Sequence, residues 1–148
     1  MSSSEGPLFF RRTPQSLPRR SLRALALRLC ETVADGQSFC CLLTDDRELR
    51  RLNRQFFGKD YPADVISFPE PGADRFLGEL AISLERAADQ AREHGHRLDE
   101  EIGVLMLHGL LHLLGMDHEK DGGRMARAER RWRKELGLPA GLVERARA

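Results

Sequence analysis

The chain has 148 residues, of which 41% are hydrophobic and 32% are charged, and its formal net charge at pH 7 is +1. This length and composition exclude a disordered or fibrous protein, and the small net charge gives no general indication of nucleic-acid binding. We therefore predict a single domain over residues 1–148, with a folded core at about 8–138 and a loose basic tail at 139–148.

Three elements are predicted in the first part of the chain. Apolar residues at helical spacing, between a proline and a glycine, predict an amphipathic helix within residues 18–36. The short apolar run at 38–43 predicts a buried strand. A second amphipathic helix follows, and we expect Thr44 to cap its start and Gly58 to mark its end.

Two more strands are predicted in the middle of the chain. One covers residues 65–68, which lie between proline-containing turns, and the other covers residues 76–83. Ser83 is expected to cap a helix over residues 84–94, and Gly95 is expected to end it.

The last two predicted helices differ in how their apolar residues are distributed. Residues 99–115 are apolar nearly all round, so we expect this helix in the core. A helix at about 121–136 has one apolar face, and the basic tail begins after Pro139. Together these elements predict an α+β fold in which a small mixed β-sheet is covered by helices.

Cysteine usage and hydropathy indicate the compartment. Cys30, Cys40 and Cys41 form no C-x-x-C pair, and their odd number does not suggest a disulfide framework. The N-terminal segment has no apolar run of signal-peptide length, and no run approaches the roughly 18 apolar residues of a membrane span. We therefore predict a cytoplasmic protein that has no membrane partner.

Arginine is concentrated near both ends of the chain. Such patches can contact phosphates even when the net charge is small, whereas the solvated faces of amphipathic helices give the same pattern, so both interpretations stay open. The residues are Arg11, Arg12, Arg19, Arg20, Arg23 and Arg28 near the start, and Arg124, Arg127, Arg130, Arg131, Arg133, Lys134, Arg145 and Arg147 near the end.

The segment HGLLHLLGMDH at 108–118 indicates a metal site. His108 and His112 share a helix face, and His118 can join them only if the helix stops at Gly115. The alternative is a set of core histidines satisfied by hydrogen bonds, which requires a polar partner for each buried imidazole. We predict one Zn²⁺ bound by the three histidines, with Ni²⁺ or another divalent metal as the alternative ion.

Two residues of this segment bear on catalysis. The histidine spacing is close to the H-E-x-x-H-x-x-G-x-x-H pattern of zinc proteases, but Gly109 stands where those enzymes have a catalytic glutamate. Asp117 is the candidate catalytic residue, because it could act as a base toward metal-bound water or orient a histidine. Alternatively, Asp117 caps the final helix.

Three segments resemble the YbeY family of bacterial rRNA maturation factors, which are regarded as metal-dependent endoribonucleases. HGLLHLLGMDH matches the family motif H-G-x-L-H-L-x-G-x-D-H in full, while LNRQFFGKDYPADVISFPEP and LGELAIS resemble two further family segments. The similarity runs from about residue 38 to 136. The resemblance implies a zincin-like α+β domain, zinc bound by the three histidines, and ribosomal RNA and the small ribosomal subunit as partners.

The sequence departs from the family pattern at two positions. The arginine that usually precedes the glycine, and that is thought to contact the RNA phosphate, is Phe57 here, and the usual threonine before the aspartate is Ala63. Arg54 and Lys59 are the nearby candidates to supply the phosphate contact.

We therefore predict a zinc-dependent, single-strand-specific endoribonuclease that acts in rRNA maturation and ribosome quality control. RNA cleavage needs no glutamate at position 109, since a metal ion can activate water and stabilise charge on the phosphate. Two other classes stay open. One is a metallopeptidase with an unusual base, and the other is a zinc-stabilised rRNA-binding assembly factor without catalysis.

Overall fold

A computed structural model describes residues 7–117 and 119–147, within which the chain forms four strands and six helices. In chain order these are β1 (Leu8–Phe10), α1 (Arg19–Glu31), β2 (Ser38–Thr44), α2 (Asp46–Phe57), β3 (Val65–Pro69), β4 (Phe76–Ser83), α3 (Leu84–His94), α4 (Leu98–Leu113), α5 (Arg124–Leu136) and α6 (Leu142–Arg147). No helix of this described part is long and apolar enough to cross a membrane.

The strands form one mixed sheet in the order β1-β2-β4-β3. β1 and β4 each pair with β2 in parallel, whereas β3 runs antiparallel to β4 and forms one edge. The predicted α+β fold with a small mixed sheet is thus confirmed. β1 was not predicted, because three residues are too few to show an alternating pattern.

The sheet separates two apolar clusters, because alternate residues of a strand point to opposite faces. Leu80 and Ile82 of β4 belong to the large core, which also contains most of α4 and the buried faces of α1, α3 and α5. Ala81 faces a smaller cluster, in which Leu49 of α2 meets Ile66 of β3. α4 therefore lies buried against one face of the sheet, as predicted, and α2 covers part of the other face.

Some boundaries agree with the sequence patterns and others do not. Residues 76–83 and 84–94 form the predicted strand and helix, and Ser83 caps α3 by accepting a hydrogen bond from the backbone N–H of Arg86. The prediction that Thr44 caps α2 is wrong. Thr44 is still paired with β4, and the side chain of Asp45 accepts the capping bond from Glu48.

The prediction of a loose segment after Pro139 is also wrong for residues 142–147, which form α6. Val143 is 3% exposed and packs into the large core. Arg145 donates to both carboxylate oxygens of the fully buried Glu101 on α4, each at 2.8 Å. These contacts fix the segment, and no local sequence pattern reveals a partner that lies 44 residues away.

Candidate active-site cleft

α4 brings two of the three predicted metal ligands together. His108 and His112 lie one helical turn apart, with ring centroids separated by 4.8 Å and ring planes at 81°. His118 lies outside the described residues, so its place in the ligand set stays a prediction. Within residues 7–117 and 119–147, no group of three or more His, Cys, Asp and Glu side chains is arranged to hold a metal.

The Nδ1 atoms of both described histidines are held by acceptors. Nδ1 of His108 lies 3.0 Å from Oε2 of Glu129, and Nδ1 of His112 lies 2.9 Å from the backbone carbonyl of Met116. A carbonyl and a carboxylate can only accept, so each Nδ1 carries the proton and donates. This fixes the tautomer in which Nε2 is the nitrogen that can bind a metal ion.

The turn after α4 explains how the carbonyl of Met116 reaches His112. Gly115 has φ +90°, a conformation that side-chain-bearing residues rarely adopt. The N–H of Met116 donates to the carbonyl of Leu111 at 3.1 Å, so the chain folds back on the last helical turn. The predicted helix end at Gly115 is confirmed to within two residues.

Glu129 couples His108 to the C-terminal helix. Its side chain is fully buried, and Oε1 accepts a hydrogen bond from the N–H of Val143 at 2.8 Å. A Cβ at position 141 would lie 2.3 Å from Glu129 Oε1, so Gly141 leaves the room that this carboxylate occupies. α6 therefore helps to hold the carboxylate that orients His108.

Sequence reasoning missed Glu129, although one signal was available. The residue lies on α5 between Met125 and Trp132, at the spacing of the buried face of that helix. A carboxylate at an apolar position needs a buried partner, because burial without one is costly. Such a position is therefore a reason to look for a second functional group nearby.

Close packing explains the glycine at position 109. A Cβ there would lie 2.8 Å from Cδ2 of Leu80 and 3.2 Å from Cγ2 of Val65, so a side chain at this position would have to displace the buried side chain of Leu80. The hydroxyl of Ser67 on β3 donates to the carbonyl of Gly109 at 3.2 Å. The position faces the sheet, where a glutamate of the zinc-protease type would displace packed apolar side chains.

Asp117 lies beside the histidines, in the lining of the same cleft. Its Oδ1 accepts a hydrogen bond from the N–H of Glu119 at 3.0 Å. The carboxylate at the start of α5 belongs to another residue, Asp121, whose Oδ2 accepts from the N–H of Met125 at 3.0 Å. Asp117 therefore does not cap α5, and the alternative interpretation of this residue as a helix cap is wrong.

A cleft of about 720 Å³ runs between these residues and β3. Helix α2 and the loop that follows it form the opposite rim, and α6 contributes one residue. The lining consists of Asn53, Phe57, Lys59, Tyr61, Ala63, Asp64, Val65, Ile66, Ser67, Pro69, His108, His112, Asp117 and Leu142.

The structure distinguishes the two candidates for the phosphate contact. Lys59 lines the cleft and follows Gly58, whose left-handed conformation ends α2. Arg54 does not line the cleft and lies 3.4 Å from Asp60, which also accepts from Arg50 at 2.8 Å. The hydrogen bond from Arg50 lowers the pKa of Asp60. Phe57 and Ala63, the two departures from the family pattern, both face the cleft.

Most of the described side chains in the terminal arginine clusters contact other residues of the chain, and the side chain of Arg147 lies outside the described part. Arg19 and Arg23 lie over the ring of Phe10, at 4.6 and 4.9 Å. Arg133 donates to Glu144 at 2.7 Å, and this bond lowers the pKa of Glu144. A further group of arginines lies on α2 and consists of Arg47, Arg50, Arg51 and Arg54, of which the sequence analysis singled out only Arg54.

The chain is similar to known proteins along most of its length. The family model of endoribonuclease YbeY matches residues 12–137. A protein of Solibacter usitatus named endoribonuclease YbeY is 58% identical over 149 aligned residues that cover 100% of both chains. The protein of that name from Helicobacter pylori is 41% identical over 120 residues, which cover 80% of this chain and 86% of the relative.

A solved structure shares the fold. The solution structure of TM1509 from Thermotoga maritima superposes with a TM-score of 0.63 at 27% sequence identity, over 87% of this chain and 88% of the other. The family model covers most of the chain, and the Solibacter relative aligns with all of it. The chain therefore belongs to the YbeY family.

Proposed function

We propose that this chain is a zinc-dependent, single-strand-specific endoribonuclease that acts on ribosomal RNA during maturation and ribosome quality control. Membership of an endoribonuclease family supports an enzyme that hydrolyses phosphodiester bonds. Metal dependence is supported by His108 and His112, which both line the cleft. The Nδ1 atom of each is held by a hydrogen-bond acceptor, which leaves Nε2 as the nitrogen that can bind a metal ion. A cytoplasmic location is part of this proposal.

The donor chemistry fits a divalent ion. His108, His112 and His118 would hold it, with Glu129 and the carbonyl of Met116 orienting the first two rings. Imidazole ligands suit zinc, and also nickel or another divalent metal. When bound, the ion would stabilise negative charge on the phosphate and make a water molecule more acidic.

Asp117 is proposed as the residue that accepts a proton from the attacking water. It lines the cleft beside the two histidines, and its Oδ1 already accepts from a backbone N–H, which fixes the orientation of the carboxylate. The remaining carboxylate oxygen can take a proton without moving the backbone. Lys59, on the opposite rim, is proposed to contact the phosphate of the bound strand.

The packing at Gly109 argues against a peptidase of the usual zinc-dependent kind, so a peptidase would need a base at another position. The usual glutamate base would displace packed side chains between α4 and the sheet, where Leu80 and Val65 already fill the space. A phosphodiester makes a smaller demand on the protein, because its leaving oxygen needs less help than the amine of a peptide.

The small ribosomal subunit is proposed as the partner that presents the RNA.

The test is a cleavage assay on single-stranded ribosomal RNA with and without a chelator. Purified wild-type protein is expected to cut the RNA, and both the chelator and the substitution His108→Ala are expected to abolish cutting. His94→Ala is the matched control, because His94 is exposed at the end of α3, away from the cleft. RNA binding without cutting would indicate an assembly factor, and digestion of an unfolded protein would indicate a peptidase.

A second substrate tests the proposed role of water. An RNA with one 2′-deoxy sugar at the cleavage position is expected to be cut, because attack by water does not use the 2′-hydroxyl. Its products would lack a cyclic phosphate. An inert deoxy substrate, together with 2′,3′-cyclic phosphate on the normal products, would contradict attack by water and assign attack to the 2′-hydroxyl.

A further inference from the structure

Three phenylalanine rings form an exposed ridge beside the cleft. Phe56 and Phe57, at the end of α2, are 56% and 50% exposed. Phe68 of β3 supports both, with ring centroids 5.2 Å from Phe56 and 5.9 Å from Phe57. We call these three residues the aromatic ridge. Two large apolar side chains exposed side by side are unfavourable in water and indicate a binding surface.

The aromatic ridge lies where the catalytic cleft meets a second groove. Phe57 lines the cleft that contains His108 and His112. Phe56 and Phe68 line the neighbouring groove, between α2 and the sheet. A strand leaving the cleft in this direction would therefore cross the three rings in succession. Tyr61, which is 52% exposed, adds a fourth aromatic ring on the cleft side.

Positive charge flanks the ridge on both sides. Lys59 and Phe57 both line the cleft. Arg51 and Phe56 both line the second groove, where Arg51 is paired with Glu48 at 2.6 Å. Arg50 and Arg54 share a single carboxylate, Asp60, so part of their charge is not balanced by that ion pair. Two carboxylates, Glu48 and Glu79, also line the second groove. Glu48 is paired with Arg51, so Glu79 is the acidic side chain of the groove that a bound anion would avoid.

We propose that the aromatic ridge stacks the unpaired bases of single-stranded RNA next to the cleaved bond, while Lys59 and the α2 arginines contact its phosphates. A single strand of RNA offers two features to a protein, the flat faces of its unpaired bases and the negative charges of its phosphates. Exposed aromatic rings can stack on the bases, and neighbouring cations can bind the phosphates. This inference rests on the proposed endoribonuclease function and adds the surface that selects unpaired RNA. A base-paired strand keeps its bases stacked on one another and cannot use the ridge.

The test measures binding without cutting. Wild-type protein in chelator is titrated into a short single-stranded RNA that carries the fluorescent base 2-aminopurine, and the same RNA with an abasic site at that position is added as an unlabelled competitor. Stacking on the ridge is expected to quench the fluorescence. Phe57→Ala is expected to raise the Kd by about fivefold or more, since stacking contributes at least about that factor per base. Phe57→Tyr is expected to bind like the wild type.

Salt dependence separates stacking from charge. Phe57→Ala is expected to weaken binding equally at all salt concentrations, whereas Lys59→Gln is expected to reduce the slope of log affinity against log salt by about 0.7. Phe9→Ala is the matched control, because Phe9 is 38% exposed on β1, at the opposite edge of the sheet from β3. It is expected to change neither quantity.

Three outcomes would overturn the inference. Unchanged affinity in both Phe56→Ala and Phe57→Ala would remove the ridge from RNA binding, and so would equal affinity for the normal and abasic RNA. Self-association of the wild type that either substitution abolishes would assign the ridge to a second copy of the chain. If the wild type cuts RNA while the ridge variants bind normally, this inference alone fails. If the wild type neither binds nor cuts RNA, the proposed function fails with it.

Discussion

The two sides of the cleft differ in how their side chains are held. On the histidine side, His108 is 8% exposed and is oriented by Glu129, a fully buried residue of α5 that also accepts a hydrogen bond from α6. On the opposite rim, Phe57 and Tyr61 are about half exposed, at 50% and 52%. Buried hydrogen bonds fix one side in a single geometry, while the other side keeps the solvent exposure that a surface for a long substrate requires.

This difference predicts which kinds of substitution each side tolerates. Changes on the histidine side should alter chemistry, metal affinity or folding, because His108, His112 and Asp117 are each held by a hydrogen bond, and that of His108 is buried. Changes on the exposed rim should alter substrate binding and leave the fold intact. Substitutions of the aromatic ridge, described above, test the exposed rim. Four further substitutions test the histidine side and the helices that hold the two sides, and they are given from the largest expected effect to the smallest.

Asp117→Asn should produce the largest effect, on the rate of cleavage. If Asp117 accepts the proton of the attacking water, its loss should slow cutting by about 100-fold or more. Bound metal, measured by elemental analysis, should not change. Asp89→Asn on the exposed face of α3 is the control and should cut normally. Normal cutting by Asp117→Asn would leave the proton acceptor to another residue.

Arg145→Met should produce the largest effect on stability. Arg145 pairs with Glu101, which is fully buried, so its removal leaves a buried carboxylate without a partner. Losing one member of such a pair costs about 3–5 kcal/mol, and denaturant unfolding at pH 7 would measure the loss. Arg131→Met is the control, since Arg131 is 67% exposed in its pair with Glu135. A loss of less than about 1 kcal/mol for Arg145→Met would mean that α6 is not docked through this pair.

Glu129→Gln should weaken metal binding while leaving all three histidines in place. An amide cannot provide the charge of the carboxylate that accepts from His108, and loss of such a partner reduces metal affinity by about 10- to 100-fold. Competition with a chromophoric zinc chelator would measure the affinity. Glu135→Gln, on the exposed part of the same helix, is the control. Equal zinc affinity in both variants would remove Glu129 from the site.

Asp45→Ala should produce the smallest effect and should act on the rim through α2. Asp45 caps this helix, and losing a cap costs about 1 kcal/mol of unfolding free energy. The hydrogen bond from Arg12 lowers the pKa of Asp45, so its stabilisation is present at neutral pH and is lost as pH falls below about 4. Thermal unfolding of variant and wild type should therefore differ at pH 7 and converge in acid. If variant and wild type differed in unfolding temperature by the same amount at pH 7 and in acid, the charge of Asp45 would not contribute to stability.

Features that depend on nearby residues could be predicted from the sequence. Ser83 and Gly95 mark the ends of α3 because caps act within one helical turn. His108 and His112 face the same way because they are one turn apart, and Gly115 ends α4 because few other residues adopt its backbone conformation. In each case the cause lies within a few positions of the residue concerned.

Features that depend on distant contacts could not be predicted. Glu129 is 21 residues from His108, and Arg145 is 44 residues from Glu101, so neither partner shows in a local pattern. α6 was missed because six residues of mixed polarity form a helix here through docking. The aromatic ridge needs Phe68 of β3 to meet α2, which only the folded sheet brings about.

Metal content tests the central claim most directly, namely that the histidine side of the cleft holds a catalytic ion. Inductively coupled plasma mass spectrometry on purified wild type, His108→Ala, His112→Ala and the exposed control His94→Ala would count metal ions per chain. We predict about one zinc ion per chain in the wild type and the control, and a sharp loss in the other two variants. Wild-type metal content in His108→Ala and His112→Ala would contradict the account.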